Sequence, residues 1–591
     1  MVNLPILNAT TVATAALFAA QSWDFVVVGG GTAGLTVATR LSENPSFRVA
    51  VIEAGLDRSD NPLVAIAGNW PEVFLDSDVT WGFNTVPQTS AAGQAVSQPR
   101  GKAVGGSSAV NSMEWRVGHK LEYDSWEQFG NPGWNFAGLL PYFKKTENFT
   151  PQTGNPVFPG TGQVTSDKGV GGPTTITYNI WYTSLIKLFV QSLQVLGFTI
   201  NNDPESGNSG GIANIPRSVS SIDGTRQYAG ITYLGQASNR TNISVLAGAQ
   251  ATKVLFKKVG KNQVATGVQF SVNGQTFTVS ANREVILSCG AFQSPQLLEL
   301  SGIGQPAILN QFGIPTLINL PGVGENLQST KDSLNLFTVP SNLTQTPLNT
   351  ALRTMTGTPF LWSPMKSIAS SSAFNTLVQE LKSYLASSTL TPMERQQFQL
   401  QLGWLTQSNP VVPEGQIIFA NLPGSTGLPF PDGSTGMWLP SSHVRPLSRG
   451  TVHIASSNPL AAPAIDPQYL SRQYDINVFL AILQFTVKLT GSGTLANAVN
   501  GKFMPPQNLT TTPELIGWIK GGISTQFHPA GTAAMASQAL GGVVNSNLIV
   551  YGTSNLRVVD ASIMPLIPGA NLQASVYAIA EKAADIIKAA N

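Results

Sequence analysis

A glycine-rich segment between a buried strand and a helix most constrains the fold of this chain. Residues 25–28 form a continuous β-branched and aromatic run, which is typical of a strand buried on both faces of a parallel sheet. The run enters Gly29-Gly30-Gly31-Thr32-Ala33-Gly34, and residues 35–41 then indicate a helix. A second strand at residues 49–52 ends at Glu53. These segments predict a complete βαβ unit of the Rossmann type.

The G-x-G-x-x-G spacing gives each glycine a separate task. Gly29 permits the tight turn, and Gly31 lets a pyrophosphate approach backbone N–H groups. Gly34 lets the helix pack closely on the strand. The helix N-terminus offers unpaired donors and the positive end of its dipole to phosphates. Glu53, about twenty residues after the glycines, is predicted to accept from ribose hydroxyls and to repel a 2′-phosphate. The motif predicts a dinucleotide site without choosing between NAD and FAD.

Length and composition limit the class of protein. The 591 residues exceed the roughly 250–300 at which one hydrophobic core stops growing, so we expect two or more domains. The chain has 33 Lys and Arg residues and 31 Asp and Glu residues, which gives a net charge of +2. It contains no run of basic residues, so its charge pattern does not indicate nucleic-acid binding. The single Cys289 excludes an intrachain disulfide and a Cys-based metal site, so no metal is predicted. Cys289 ends an apolar run and is predicted to be a buried thiol.

Distant parts of the chain are predicted to build the first domain. Residues 70–149 have a loop-rich pattern, strands return between residues 243 and 287, and a strand at 556–559 precedes a helix at 575–590. We assign residues 24–150, 215–325 and 530–591 to a dinucleotide domain, and residues 151–214 and 326–529 to a substrate domain. Helical patterns near 371–387 and 473–491 belong to the second domain. The predicted fold class is α/β plus α+β, a discontinuous Rossmann-type domain with a second domain of antiparallel sheet and helices.

The N-terminal segment leaves two interpretations open. Residues 1–23 contain no charged side chain and therefore lack the basic start of a signal peptide. Their apolar stretch is too short to span a membrane. They are either a signal-like segment or an arm lying on the folded body. Six N-x-S/T sequons add to the case for secretion, although this number is close to the one expected by chance. They begin at Asn8, Asn148, Asn239, Asn242, Asn342 and Asn508.

Two further segments resemble the signatures of the glucose–methanol–choline (GMC) oxidoreductases. Residues 101–111, GKAVGGSSAVN, are similar to the first signature, and residues 290–304, beginning GAFQSP, are similar to the second. With the glycine motif and the C-terminal block, the resemblance covers residues 24–591. It implies an FAD-dependent enzyme acting on an alcohol. Within the family the chain is similar to aryl-alcohol oxidases, hydroxymethylfurfural oxidases and patulin synthase-like flavoenzymes.

The resemblance also implies which residues contact FAD. Residues 101–111 would run beside the flavin, with Asn111 near its N5 edge, and Ala251 would hold the adenine. The implied cofactor residues are Gly29, Gly31, Thr32, Ala33, Gly34, Glu53, Ala54, Gly101, Gly105, Gly106, Ser107, Asn111, Ser112, Ala251, Asp560, Ala561, Leu572 and Gln573. Relatives with covalent flavin have a His in place of Val110 or Asn111. This chain has none there, so we expect non-covalent FAD.

Histidine is the natural base for taking the hydroxyl proton while hydride leaves carbon for flavin N5, because its pKa lies near neutrality. The chain has four histidines. His119 lies in a polar, charged stretch and is expected at the surface, whereas His443 and His453 are expected in structural roles. His528, in Gln526-Phe527-His528-Pro529, matches the catalytic base of the family.

The partner of His528 departs from the commonest family pattern. Many relatives have a second histidine where this chain has Asn571, but a His–Asn pair is also found in the family. An amide cannot act as a base, yet it can hold the substrate oxygen and orient the hydroxyl toward His528. His528 and Asn571 are therefore the predicted catalytic residues.

The predicted substrate is a small neutral alcohol. Phe527 and Trp115 are expected to line its pocket, and further candidate aromatics are Trp70, Phe360, Trp362, Trp404, Phe430 and Trp438. No charge cluster indicates a strongly ionic substrate, so we favour a benzylic, allylic or furfuryl primary alcohol oxidised to the aldehyde, with O2 or a quinone as acceptor. The alternatives are a hydroxynitrile lyase of the same fold, which uses FAD only structurally, and a sugar dehydrogenase. The oligomeric state and the choice between oxidase and dehydrogenase stay open.

Overall fold

A computed structural model describes residues 5–9, 11–151, 166–179, 182–333, 335–340, 359–422 and 434–591. The valine-rich run forms the buried strand Trp23–Val28, and the glycine motif leads into the helix Thr32–Leu41. The strand Val49–Glu53 pairs in parallel with Trp23–Val28, with Val26 opposite Ala50. The predicted βαβ unit is present.

An eight-stranded sheet joins strands from three distant parts of the chain. The long strand Gln275–Leu287 pairs antiparallel with Asn262–Val272 in its first part and parallel with Trp23–Val28 in its last part. It also pairs in parallel with Leu556–Val558, near the C-terminus. This pairing confirms a Rossmann-type domain of discontinuous segments. The sheet order is Ile6–Asn8, Ile243–Ala247, Val49–Glu53, Trp23–Val28, Gln275–Leu287, Asn262–Val272 and Gln250–Val259.

The N-terminal segment packs on this sheet. The strand Ile6–Asn8 pairs in parallel with Ile243–Ala247, and the helix Val12–Ala19 follows it. Phe18 is buried against the edge of the Phe270 ring. The described part of this segment thus has the packing expected of an arm. Across the described residues, no helix combines the length and the apolar character needed to cross a bilayer.

Two antiparallel sheets build the other half of the molecule, together with the long helix Gln473–Thr490. The larger sheet has the order Ser524–Thr525, Lys331–Ser333, Ser441–His443, Gly415–Ile418, Pro359–Ser363 and Gly211–Asn214. The smaller sheet has the order Ala420–Leu422, Ser434–Trp438, Leu336–Pro340 and Gly501–Met504. Among the described residues, four two-stranded sheets pair Thr80–Trp81 with Arg100–Gly101, Glu147–Thr150 with Thr174–Thr177, Ile303–Gly304 with Ile318–Asn319, and Thr451–His453 with Ala464–Asp466. The antiparallel second half agrees with the predicted fold class, and the domain limits stay a prediction.

Helices cover both halves. Gln573–Ala590 packs against Thr32–Leu41 and thereby holds the C-terminus on the dinucleotide unit. Pro392–Leu405 was not expected, because the buried Gln397 and Gln401 blur its apolar periodicity. Phe136–Thr146 lies in the stretch predicted to be loop-rich and contains Pro141. The remaining α-helices in the described part of the chain are Pro62–Ala65, Trp70–Val73, Lys120–Asp124, Ser184–Val195, Tyr233–Gln236, Gly290–Leu300, Pro306–Gln311, Met365–Ile368, Ser371–Ala386 and Thr512–Gly521.

Candidate active site

One cavity brings together most of the predicted site residues. Its volume is about 1680 Å³ including the solvent at its mouth. From the predicted set, its lining contains Gly29, Gly31, Thr32, Ala33, Glu53, Ala54, Gly101, Gly106, Ser107, Asn111, Ser112, Ala251, Phe527, His528, Asp560, Ala561, Asn571, Leu572 and Gln573. Gly34, Gly105 and Trp115 lie outside this lining.

The glycines allow a close approach of two loops at the cavity wall. Gly106 has φ +53°, and a Cβ added to it would lie 2.6 Å from the Cα of Gly31. A Cβ on Gly34 would lie 1.9 Å from the carbonyl oxygen of Gly29, so only glycine allows the helix to approach the strand here. The N-cap residue Gly31 brings no side-chain cap to the helix Thr32–Leu41. The first N–H groups of this helix thus lack a side-chain acceptor where they meet the cavity.

Glu53 closes the strand next to the glycine loop. Its Oε2 accepts from the Gly30 N–H and its Oε1 from the Gly55 N–H, both at 2.7 Å. A carboxylate has further lone pairs, so the oxygens retain capacity for a ribose hydroxyl. Burial raises the pKa of Glu53 to about 7. Burial thus favours the protonated carboxyl and weakens the negative charge that would repel a 2′-phosphate.

A second carboxylate, Asp560, organises the opposite wall. Its Oδ2 accepts from the Gly290 N–H at 2.9 Å and from Ser294 Oγ, and its Oδ1 accepts from the Ser562 N–H at 2.8 Å. Burial raises the pKa of Asp560. Next to it lies Cys289, which was predicted to be buried. Cys289 is in fact half-buried and lines the cavity, with its Sγ donating to the Val28 carbonyl, because its backbone enters the helix Gly290–Leu300 at this wall.

Asn111 is held from several sides. Its Nδ2 donates to Gln573 Oε1, and its backbone and side-chain oxygens accept from Arg226 Nη1. Gln573 Nε2 in turn donates to Ser218 Oγ at 2.9 Å. Ser112 is fixed differently, because its Oγ donates to Glu114. These bonds give the predicted flavin-side wall a defined geometry.

His528 follows the edge strand Ser524–Thr525 and borders the cavity. Its Nδ1 lies 2.8 Å from Thr330 Oγ1. Burial and the positive charge of Arg100 lower the pKa of His528 to about 3. A base that titrates near neutrality was expected, and burial together with the charge of Arg100 lowers the pKa of this imidazole instead. The imidazole is neutral at physiological pH and can accept a proton.

Asn571 lies in the turn before the helix Gln573–Ala590 and lines the same cavity as His528. Its Oδ1 is buried and has no hydrogen-bond partner among the described residues. A buried amide oxygen without a partner costs free energy, so it marks a place where a bound molecule donates a hydrogen bond.

The aromatic lining differs from the predicted one. Phe527 has φ +62° and stacks on Phe74, with ring centroids 5.0 Å apart. Trp115 lies in the interior instead, where its indole N–H donates to Glu147 at 2.7 Å. Trp70, Phe360, Trp362, Trp404 and Trp438 also lie outside the lining, and Phe430 falls outside the described residues. The aromatic side chains that line the cavity are Phe74, Trp81, Phe83, Phe292 and Phe527.

The other histidines have local partners. His119 is buried and caps the helix Lys120–Asp124 by accepting from the Leu121 N–H, so the expectation of a surface position was wrong. Burial and nearby cations lower its pKa to about 4. His443 Nε2 lies 3.3 Å from Asp475, and His453 Nδ1 lies 2.7 Å from Glu299. The polar sequence around His119 concealed a capping role.

The residues present fit FAD. The uncapped helix N-terminus and the two touching glycine loops suit a pyrophosphate, and Glu53 suits a ribose. The partnerless Asn571 Oδ1 and the neutral His528 lie in the same cavity as this cradle. The arrangement can therefore bind a dinucleotide at one part of the cavity and act on a proton at another.

Comparison with known proteins agrees with this geometry. Residues 23–331 and 446–580 match the N- and C-terminal family models described as GMC oxidoreductase. A dehydrogenase of Armillaria gallica is 35% identical, with 97% of this chain and 94% of the relative covered. An FAD-dependent oxidoreductase from Chaetomium thermophilum superposes with a TM-score of 0.85 at 28% identity, covering 96% of this chain and 99% of that one. A fungal aryl-alcohol oxidase gives 0.81 at 27% identity, covering 96% and 98%.

The fold and the comparisons define an FAD-dependent oxidoreductase. The chain belongs to the GMC oxidoreductase family.

Proposed function

We propose that this protein oxidises a small neutral alcohol to the carbonyl product, with His528 as base and Asn571 as the residue that holds the substrate oxygen. The observation that carries the proposal is the placement of both side chains in the cavity that also contains the dinucleotide cradle. Family membership supports alcohol oxidation in general. Bound FAD supplies the hydride acceptor for this reaction.

His528 takes the hydroxyl proton in this proposal. When Nδ1 carries the ring hydrogen and donates it to Thr330 Oγ1, the lone pair of Nε2 is free to accept the substrate proton. The low pKa of His528 keeps the ring neutral before the reaction. The protein thus has its base in the required state throughout the physiological pH range.

Asn571 positions the hydroxyl. Its Nδ2 can donate to the hydroxyl oxygen and to the alkoxide that develops there, which leaves the single hydroxyl hydrogen for His528 Nε2. Holding the reacting oxygen in one place replaces a bimolecular encounter by a pre-oriented contact. The amide therefore supplies position, while the imidazole supplies proton affinity.

The aromatic lining favours an alcohol with an activated carbinol carbon. Phe527 is stacked on Phe74 beside His528, and flat apolar rings suit a benzylic, allylic or furfuryl group. We propose a primary alcohol of this kind, oxidised to the aldehyde, with O2 or a quinone as electron acceptor.

Anaerobic mixing with an alcohol panel tests the proposal. Benzyl, cinnamyl and furfuryl alcohols should bleach the flavin absorbance and yield the aldehyde in a 1:1 ratio to flavin. Reoxidation with O2 and with a quinone, measured separately, assigns the acceptor. A holoenzyme whose flavin none of these alcohols bleaches, and which instead cleaves a cyanohydrin, would be a lyase and would overturn the proposal.

We also propose that FAD is bound without a covalent link. No histidine occupies Val110 or Asn111, and both positions line the cavity. Acid precipitation should leave the yellow flavin in the supernatant. Flavin retained by the precipitated chain would contradict this.

Secretion is proposed as well, on the sequons alone, because the described part of the N-terminal segment packs as an arm on the sheet. Of the sequon asparagines that the structure describes, Asn8, Asn239 and Asn508 are exposed, and Asn148 is half-buried. Asn242 is half-buried too, and its Nδ2 lies within hydrogen-bond distance of three backbone carbonyls. Asn342 lies outside the described residues. Glycans on the protein from its native source should therefore map to exposed sequons such as Asn239 and Asn508, and not to Asn242. Mass spectrometry after deglycosylation in heavy-oxygen water reads out each site.

A further inference from the structure

A chain of polar side chains ends at the cavity wall next to His528. Gln526 lines the cavity two residues before the base. Its Nε2 donates to Gln416 Oε1 at 2.7 Å and to Ser442 Oγ. Ser442 Oγ donates in turn to Asp332 Oδ1. The proposed function has no task for this network.

The network determines which end of the Gln526 amide faces the cavity. The hydroxyl hydrogen of Ser442 is engaged by Asp332, so Ser442 Oγ can only accept from Gln526. Both hydrogens of the Gln526 amide then point into the protein, toward Gln416, Ser442 and the Asp332 carboxylate, which also contacts Gln526. The remaining group, Oε1, has no hydrogen-bond partner among the described residues and belongs to a side chain that lines the cavity. An acceptor is thus presented to the substrate.

We propose that Gln526 is a specificity-determining residue whose carbonyl oxygen accepts a hydrogen bond from a second donor group on the substrate. The preferred substrate is then an alcohol that carries another hydroxyl, such as an aromatic diol, and not a simple aryl alcohol. The proposal deepens the proposed function and rests on it. Ser442 and Gln416 act as positioning residues, because they contact the Gln526 amide and not the substrate.

The residues next to Gln526 explain why its carbonyl oxygen can discriminate between substrates. Phe527 follows Gln526 directly and offers a ring face, whereas His528 and Asn571 are occupied by the reacting hydroxyl in the proposed reaction. An apolar pocket alone discriminates weakly between substrates that differ by one hydroxyl. A pre-oriented acceptor that stays unpaired with the wrong substrate discriminates more strongly.

Three matched alcohols test the proposal with the holoenzyme. The three compounds are benzyl alcohols that carry a hydroxymethyl, an ethyl or a methoxymethyl group on the ring, so the substituents are similar in size. The comparison is made once with meta-substituted and once with para-substituted compounds. Only hydroxymethyl can donate a hydrogen bond. Anaerobic stopped-flow measurements give the limiting rate of flavin reduction and the substrate dissociation constant separately. The measurements are made at pH 8, because burial raises the pKa of Asp332 to about 7 and its carboxylate must be ionised to engage Ser442.

The expected result is a dissociation constant about tenfold lower for the hydroxymethyl alcohol than for the other two, in at least one series. Gln526→Met should abolish this preference while the ethyl alcohol is still oxidised. Ser442→Ala should reduce the preference, since one of the bonds that orient the amide is lost. Gln269→Met, the same change on a strand of the other sheet, should leave it unaltered.

The outcomes separate this inference from the proposed function. Equal dissociation constants for all three alcohols, with normal flavin reduction, would overturn the role of Gln526 and leave alcohol oxidation standing. A preference for the methoxymethyl compound would overturn it too, because it would mean that the amide N–H groups face the substrate. Absence of flavin reduction by every alcohol would overturn the proposed function and this inference with it.

Discussion

Thr330 Oγ1 lies 2.8 Å from Nδ1 of His528. The contact joins two neighbouring segments, since the backbone N–H of Gln526 donates to the Thr330 carbonyl and Lys331 is paired with Thr525 in the adjacent strands. A hydroxyl at this place can accept the Nδ1 hydrogen and so leave Nε2 free to accept a proton. Thr330 is thus a positioning residue for the proposed base.

Thr330→Val should slow flavin reduction by about tenfold, because an isosteric side chain without the hydroxyl no longer selects the ring tautomer. Thr330→Ser keeps the hydroxyl and should stay close to the parent. FAD content and melting temperature serve as controls for folding. A valine variant that reduces its flavin as fast as the parent would show that Thr330 does not position the base.

The pH profile of flavin reduction follows from the pKa of His528. The ring is an active base when neutral, and burial together with Arg100 lowers its pKa to about 3. The rate should therefore be constant from about pH 5 to 8 and fall only in stronger acid. Arg100→Gln removes the cation and should raise the pKa of His528, so its rate falls at a higher pH than that of Arg100→Lys. An acid limb above pH 6 in the parent enzyme would contradict this account.

Asn571→Ala should cost about 2–4 kcal/mol in the transition state for flavin reduction, as expected for the loss of a pre-oriented partner of the reacting oxygen. The pH profile should keep its shape, because His528 is unchanged. Asn571→His should retain measurable activity, since the family resemblance implies an imidazole at this position in many relatives. If the alanine variant kept nearly full activity with FAD bound, Asn571 would have no part in the chemistry.

Gly106→Ala should lower FAD content sharply. The added Cβ would lie 2.6 Å from the Cα of Gly31, at a backbone φ of +53°, and would push the two glycine loops apart. Gly93 has φ +74° with no atom within 4 Å of an added Cβ, so Gly93→Ala imposes the backbone strain without the clash. The flavin-to-protein absorbance ratio should fall for Gly106→Ala and stay unchanged for Gly93→Ala.

Much of the dinucleotide half was predictable because its signals are local. The valine run, the glycine spacing and the position of Glu53 all lie within about thirty consecutive residues, and each reports a steric requirement of the βαβ unit. The second half was less predictable. The helix Pro392–Leu405 buries Gln397 and Gln401, whose amides interrupt the apolar pattern that normally reveals a helix.

In the candidate site, the glycine loop and Glu53 were predictable from local spacing, whereas the other residues were predictable only where the family resemblance reached. His528 and Asn571 lie in one cavity, as expected, although local sequence could not reveal the contact between His528 and Thr330, which are 198 positions apart. The stacking of Phe74 on Phe527 is another long-range contact without a local signal. Trp115 was expected in the pocket, but it lies in the interior, where its indole N–H donates a hydrogen bond to Glu147. Burial of this kind depends on tertiary packing.

The rate of anaerobic flavin reduction in His528→Ala tests the central claim most directly. The parent and the variant are mixed with the best alcohol of the panel in a stopped-flow instrument, after equal FAD content has been established for both. The account predicts a rate lower by a factor of about 10² or more, with FAD retained, because the proton is left without a base. A variant that reduces its flavin within about tenfold of the parent rate would contradict His528 as the base.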